Sequence, residues 1–75
     1  MTDKLTVYTH PECSYSSALK AELADLGVQF DEIDLSERPS EWDTLEKLTG
    51  GDRITPVSVE GDIVTVGFHG VGWTY

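Results

Sequence analysis

The chain of 75 residues has one cysteine, Cys13, in the stretch His10-Pro11-Glu12-Cys13-Ser14-Tyr15-Ser16. A single thiol cannot close an internal disulfide or furnish a four-thiolate metal site, which fits a reducing compartment and leaves a lone nucleophilic thiol as the chemistry to weigh. The competing reading is that a lone cysteine is a small buried hydrophobe. Placement separates the two: Cys13 lies in a proline-flanked turn, not on an apolar helix face, and this points to a functional thiol. His10, Cys13 and His69 have no metal-like spacing, so His69 reads as a surface histidine and no metal is expected.

The elements that must hold this thiol follow from hydrophobic periodicity. Leu5-Thr6-Val7-Tyr8-Thr9 alternates large and polar residues and predicts a strand that ends at His10-Pro11. From Ser14, the apolar residues Ala18, Leu19, Leu23 and Leu26 recur at helical spacing, and Gly27 stops the run, so Cys13 opens a helix. A sulfur there meets the first unpaired amides and the positive end of the helix dipole, which favours thiolate. Residues 28–34 alternate with period two and predict a second strand directing Val28, Phe30 and Ile33 to a core. Ser40-Glu41-Trp42-Asp43 resembles a capping box, opening a helix with Trp42, Leu45 and Leu48 on one face and Gly50-Gly51 at its end. Residues 54–60, the turn Gly61-Asp62 and residues 63–66 predict an antiparallel hairpin, and residues 68–75 form a Gly-spaced aromatic tail without a period. No repeat or linker interrupts this order, so one α/β domain is expected: βαβαββ, with a mixed four-stranded sheet built on a right-handed parallel βαβ unit.

Residues 7–16 around Cys13 resemble the active-site opening of glutaredoxins, and Arg53-Ile54-Thr55-Pro56 resembles their cis-proline loop. The similarity runs over about residues 4–67, and the two motifs stand at the family's usual separation. It implies the thioredoxin-like glutaredoxin fold and a glutathione-dependent thiol-disulfide oxidoreductase. Family members carry Cys-Pro-Tyr-Cys or Cys-Gly-Phe-Ser, whereas this chain has Cys13-Ser14-Tyr15-Ser16, so the resemblance leaves only the monothiol route. In that route Cys13 takes glutathione from a glutathionylated protein and a second glutathione releases it. Ser16 would donate a hydrogen bond to the thiolate; read alone, it is an ordinary first-turn residue. The resemblance implies a cis bond before Pro56 that turns the Thr55 backbone toward the sulfur, ready to pair with extended glutathione. Without it, Pro56 is simply a proline at a strand start. Tyr15 would pack on the ligand and Arg53 would pair with a glutathione carboxylate; their alternatives are an exposed turn aromatic and a solvated charge.

The sequence departs from the pattern at three places. Where the family has a lysine three positions before the cysteine, this chain has His10, with Glu12 beside the thiol. A protonated His10 would lower the Cys13 pKa and hold glutathione, Glu12 would oppose ionisation, and the other reading of His10 is a pre-proline turn residue. Gly67, expected to grip the glutamyl end of glutathione, is followed by Phe68-His69-Gly70 without the family's aspartate, so weak glutathione binding is expected. After Val71 only Gly72-Trp73-Thr74-Tyr75 follow, so the family's closing helix is not expected here. Val57, Val59, Ile63, Val64 and Val66 would then leave an apolar face for Trp73 and Tyr75, a homodimer or a partner to bury.

Five basic and fourteen acidic residues give a formal charge of −9, which disfavours nucleic acid and anionic lipid as partners. One cysteine fits a reducing compartment, with the cytoplasm the expectation. No basic leader and no apolar run of about 20 residues occurs, so a soluble, unprocessed chain is expected. Two alternatives remain beside the enzyme. One is a glutaredoxin-fold binding module or [2Fe-2S] cluster carrier, which colour and iron content would reveal. The other is a redoxin reduced by a non-glutathione thiol system, which the missing acid after Gly67 permits.

Overall fold

A computed structural model describes residues 5–74, so Tyr75, expected to help anchor the tail, lies outside the described residues. Strand β1 (Leu5–Thr9) leads into helix α1 (Ser14–Asp25), strand β2 (Phe30–Asp34) and helix α2 (Glu41–Thr49). Strands β3 (Ile54–Thr55), β4 (Val57–Glu60), β5 (Ile63–Val66) and β6 (Trp73–Thr74) follow. The main sheet has the order β2-β1-β4-β5, with β1 and β2 parallel and the other pairs antiparallel. The expected mixed four-stranded sheet is therefore present. Residues 54–60, expected as one strand, are divided at the cis bond between Thr55 and Pro56, and β3 instead pairs with β6 in a separate ribbon. No helix among the described residues is long and apolar enough to cross a membrane.

The core lies between the sheet and α2. Tyr8, Leu35, Leu45 and Val57 are buried together, with Ile33, Trp42, Leu48, Ile54 and Val59 packed around them. Leu35 was not among the expected core residues; its N–H donates to the Thr9 carbonyl (2.9 Å), which extends the β1–β2 ladder by one residue and carries the side chain inward. Leu45→Ala removes a fully buried side chain and is expected to cost about 2–5 kcal/mol, measured as a lower denaturation midpoint. In a domain of this size that is a large fraction of the stability.

The opposite face is clamped by polar groups. Thr9 Oγ1 donates to Glu32 Oε2 (2.7 Å), and Lys20 Nζ of α1 approaches the same oxygen at 2.9 Å. Of the expected apolar face of α1, Leu19 and Leu23 are half-buried, whereas Ala18 and Leu26 are exposed. Leu26 is the C-cap, and the chain leaves the helix at Gly27 (φ 71°). The Gly27 N–H bonds the Ala24 carbonyl and the Val28 N–H bonds that of Leu23, a Schellman closure. That closure ties Val28 to the helix end, so Val28 is exposed and β2 begins two residues later than its alternation suggests.

Two further expectations are corrected. Ser40 already has helical angles (φ −63°, ψ −22°) and makes no side-chain cap bond, because a capping side chain needs extended backbone to reach forward. The start of α2 is held instead by Glu41 N–H to Arg38 O and Trp42 N–H to Pro39 O. The β4–β5 register pairs Val57 with Val66 and Val59 with Val64, so these valines share the α2 face, while Ser58, Glu60, Ile63 and Thr65 take the other. The apolar residues thus lie on the α2 face, where Val57 is buried and Val59 half-buried, but Val64 and Val66 stay exposed, as does Ile63 on the other, largely polar face.

Candidate functional site

Cys13 is the N-cap of α1, with extended angles (φ −95°, ψ 108°), and the turn before it closes through Cys13 N–H to His10 O (3.0 Å). Its carbonyl accepts from the N–H groups of Ser16 and Ser17, which aligns the first turn of the helix under the sulfur. The thiol has no exposed surface and donates from Sγ to the Thr55 carbonyl at 3.4 Å, across the cis bond to Pro56. Burial pushes the Cys13 thiol up, but the Ser16 and Thr55 hydroxyls and the N–H groups of Ser16 and Tyr15 outweigh it, so its pKa lies below the ordinary value. Two of these groups are amides of the first turn of α1.

Ser16 is the one fully buried residue of α1, and its Oγ has no hydrogen-bond partner while the thiol is protonated and turned to Thr55. Its hydroxyl and the thiolate suit each other: one lacks an acceptor, the other is a charged acceptor. Thr55 and Pro56 are buried against the site, and Tyr15 is half-buried on the first turn of α1. Gly67 is buried at φ 84°, and its N–H is committed to the Pro56 carbonyl at 2.7 Å.

His10 and Arg53 meet at a residue assigned from sequence only to the core, Trp42. The Arg53 guanidinium lies 5.3 Å from the Trp42 ring centroid, and the His10 ring is 6.2 Å away. Arg53 also uses Nε to bind Glu46. Tryptophan in the first turn of α2, just after the β2–α2 connection, was the available signal for this platform. His10 Nδ1 accepts the Glu12 N–H at 3.2 Å, and neither His10 nor Glu12 figures among the groups that shift Cys13. The expected pH control by His10 is replaced by hydroxyl and amide support. His10→Ala should therefore leave the thiol pKa unmoved, as read from the pH dependence of alkylation. Among the described residues, no three His, Cys, Asp or Glu side chains converge as a metal site.

A cysteine at the N-cap of the helix that follows the first strand, its thiol set against the residue preceding a cis-proline, is an arrangement of the thioredoxin-like fold. The glutaredoxin family model matches residues 5–62, and the chain belongs to the glutaredoxin family. Two candidate glutaredoxins of Mycobacterium tuberculosis, from strains CDC 1551 and H37Rv, are each 30% identical over 56 residues, covering 75% of this chain and 67% of theirs. The structure is similar to NrdH-redoxin from Escherichia coli, described as glutaredoxin-like with a thioredoxin-like activity profile (TM-score 0.76, 29% identity, covering 87% of this chain and 83% of that one). It is also similar to a glutaredoxin from Brucella melitensis (TM-score 0.69, 30% identity, covering 88% of this chain and 71% of that one). The thioredoxin-like glutaredoxin fold expected from the sequence is thus shown.

Proposed function

We propose that this chain is a thiol-disulfide oxidoreductase that works by monothiol exchange at Cys13, with glutathione as co-substrate in a reducing, cytoplasmic setting. The Cys13 thiolate attacks the glutathione sulfur of a glutathionylated protein; the S–S bond breaks, and the protein leaves as a thiolate that takes a proton from solvent. A second glutathione thiolate then attacks the Cys13 mixed disulfide, which releases oxidised glutathione and restores the Cys13 thiolate. The observation that carries this reading is a buried thiol at the N-cap of α1, 3.4 Å from the Thr55 carbonyl that precedes the cis-proline, with hydroxyls and amides around it that favour the thiolate. Thr55 and Pro56 shape the groove, Tyr15 flanks the bound sulfur, and His10 and Arg53 on the Trp42 platform meet a ligand carboxylate.

A second reading is a redoxin served by a dithiol reductase instead of glutathione. The thioredoxin-like activity profile given for the Escherichia coli relative favours it, as does the commitment of the Gly67 N–H to Pro56 with no acid following. Reduction of the Cys13 mixed disulfide should be timed with glutathione and glutathione reductase, and separately with a thioredoxin-reductase system. Faster release by glutathione supports the first reading. Faster release by the thioredoxin-reductase system replaces it with the second.

A further inference from the structure

A nucleophile with no exposed surface needs something to move before a disulfide reaches it, and the segment after β5 is placed to be that part. Thr55 lies opposite Trp73 and Ile54 opposite Thr74 in the antiparallel β3–β6 ribbon. In such a ladder the pairs alternate between those that exchange hydrogen bonds and those that do not. If Ile54 and Thr74 were the bonded pair, Thr55 and Trp73 would need an N–H from residue 56, and Pro56 has none. Thr55 and Trp73 are therefore the pair that exchange backbone bonds. The Thr55 carbonyl is also the acceptor of the Cys13 thiol.

The approach is close. A Cβ at Gly72 would come within 2.8 Å of the Thr55 oxygen and 2.8 Å of the Ile54 side chain, so a glycine is required where the segment crosses the site. The reversal that brings it there is built in. Phe68 and Val71 exchange backbone bonds (2.6 and 3.0 Å) around His69 (φ 51°) and Gly70 (φ 82°), the two left-handed positions of a type I′ turn. A Cβ at Gly67 would lie 2.9 Å from the Val71 oxygen, and His69 Nε2 sits 3.3 Å from Glu22 Oε1 on α1. The ribbon itself has two residues per strand, and Trp73 is half-exposed, which makes it the kind of short element that opens locally.

We infer that residues 71–74 are an autoinhibitory strap: they occupy, as a strand, the Thr55 edge that an extended disulfide substrate must pair with, and they must lift before Cys13 reacts. This rests on the reading of Cys13 as the nucleophile and of Thr55 as the ligand edge. The strap lowers apparent affinity by the fraction of molecules in which it is closed.

The test is the rate of Cys13 alkylation by iodoacetamide, taken at the high-pH plateau where the thiol is fully ionised, so that a pKa change does not enter. Trp73→Pro deletes the N–H given to Thr55, and Gly72→Val forces the strands apart; each is checked for an intact fold by amide exchange in β1 and β4. The expected result is a plateau rate raised roughly tenfold, the scale set by losing one or two backbone hydrogen bonds. An unchanged plateau in folded variants overturns the strap. A second measurement needs no substitution: the Trp73 amide of the unmodified chain should be protected from exchange, and that protection should vanish when Cys13 carries glutathione. Protection that persists in the adduct overturns the proposal. Neither readout requires turnover, so faster alkylation without glutathione-dependent activity would sink the proposed function and leave the strap standing.

Discussion

Replacing Cys13 with serine is expected to reduce glutathione adduct formation and disulfide reduction to the buffer background, because no other thiol exists in the chain and a hydroxyl does not ionise at these pH values. The same change has a second expected effect, on stability. The folded thiol ionises below its ordinary value, so the native state sheds this proton at a lower pH than the unfolded chain. Between the folded pKa and the unfolded one, about 8.5, the unfolded state binds more protons and stability rises with pH. That contribution is fully present above the unfolded pKa and is lost as pH falls through the folded value. Cys13→Ser should flatten this rise in denaturation midpoints measured across the window. Glu32 and Asp34, held below the usual carboxylate range chiefly by hydrogen bonds from Lys20 and Ser36, act at acid pH and leave the window untouched. A variant that kept the same slope would show that Cys13 is not the titrating group.

Ser16→Ala should produce effects of opposite sign in the two protonation states. With the thiol protonated, Cys13 donates to Thr55 and the Ser16 hydroxyl is buried without a partner, a situation that costs about 1–3 kcal/mol. Alanine removes the orphaned group, so stability at low pH should hold or improve. With the thiolate formed, serine supplies a charge-assisted hydrogen bond of about 1.5–3 kcal/mol that alanine cannot, so the Cys13 pKa should rise. Every 1.4 kcal/mol is tenfold, so the reaction near neutral pH should slow by roughly tenfold or more. The check is the pH profile of alkylation beside denaturation at two pH values. A profile that does not move, with stability lost at every pH, would make Ser16 a packing residue alone.

Much of this was legible in the residues because local chemistry and fold agree there. The β1 alternation, the proline-flanked turn, the helix opening at Cys13 and the Gly61-Asp62 hairpin each carry their own signal, and each stands as expected. What escaped was set by partners distant in sequence. Val28 alternates correctly for β2 but is drawn into the α1 closure, and Leu35 looks like a turn residue until its N–H finds Thr9. Alternation within β4 and β5 does not reveal which side α2 covers, nor that Val57 is buried there while Val64 and Val66 stay exposed. Residues 68–74 show no period because they are a two-residue turn and a two-residue strand, too short for one. Their legible signal was His69-Gly70 between Phe68 and Val71. At the site, Cys13, Ser16, Thr55 and Pro56 are brought together around the sulfur, whereas the role given to His10 in lowering the thiol passes to Ser16, Thr55 and the first helix amides.

An activated Cys13 thiol is tested most directly by intact-mass spectrometry of the protein mixed with oxidised glutathione at about pH 6, where an unperturbed thiol is almost wholly protonated. The expected result is rapid gain of one glutathione on Cys13 and its removal by reduced glutathione. A protein that stays unmodified at that pH, and reacts only as fast as a free cysteine at higher pH, would contradict it.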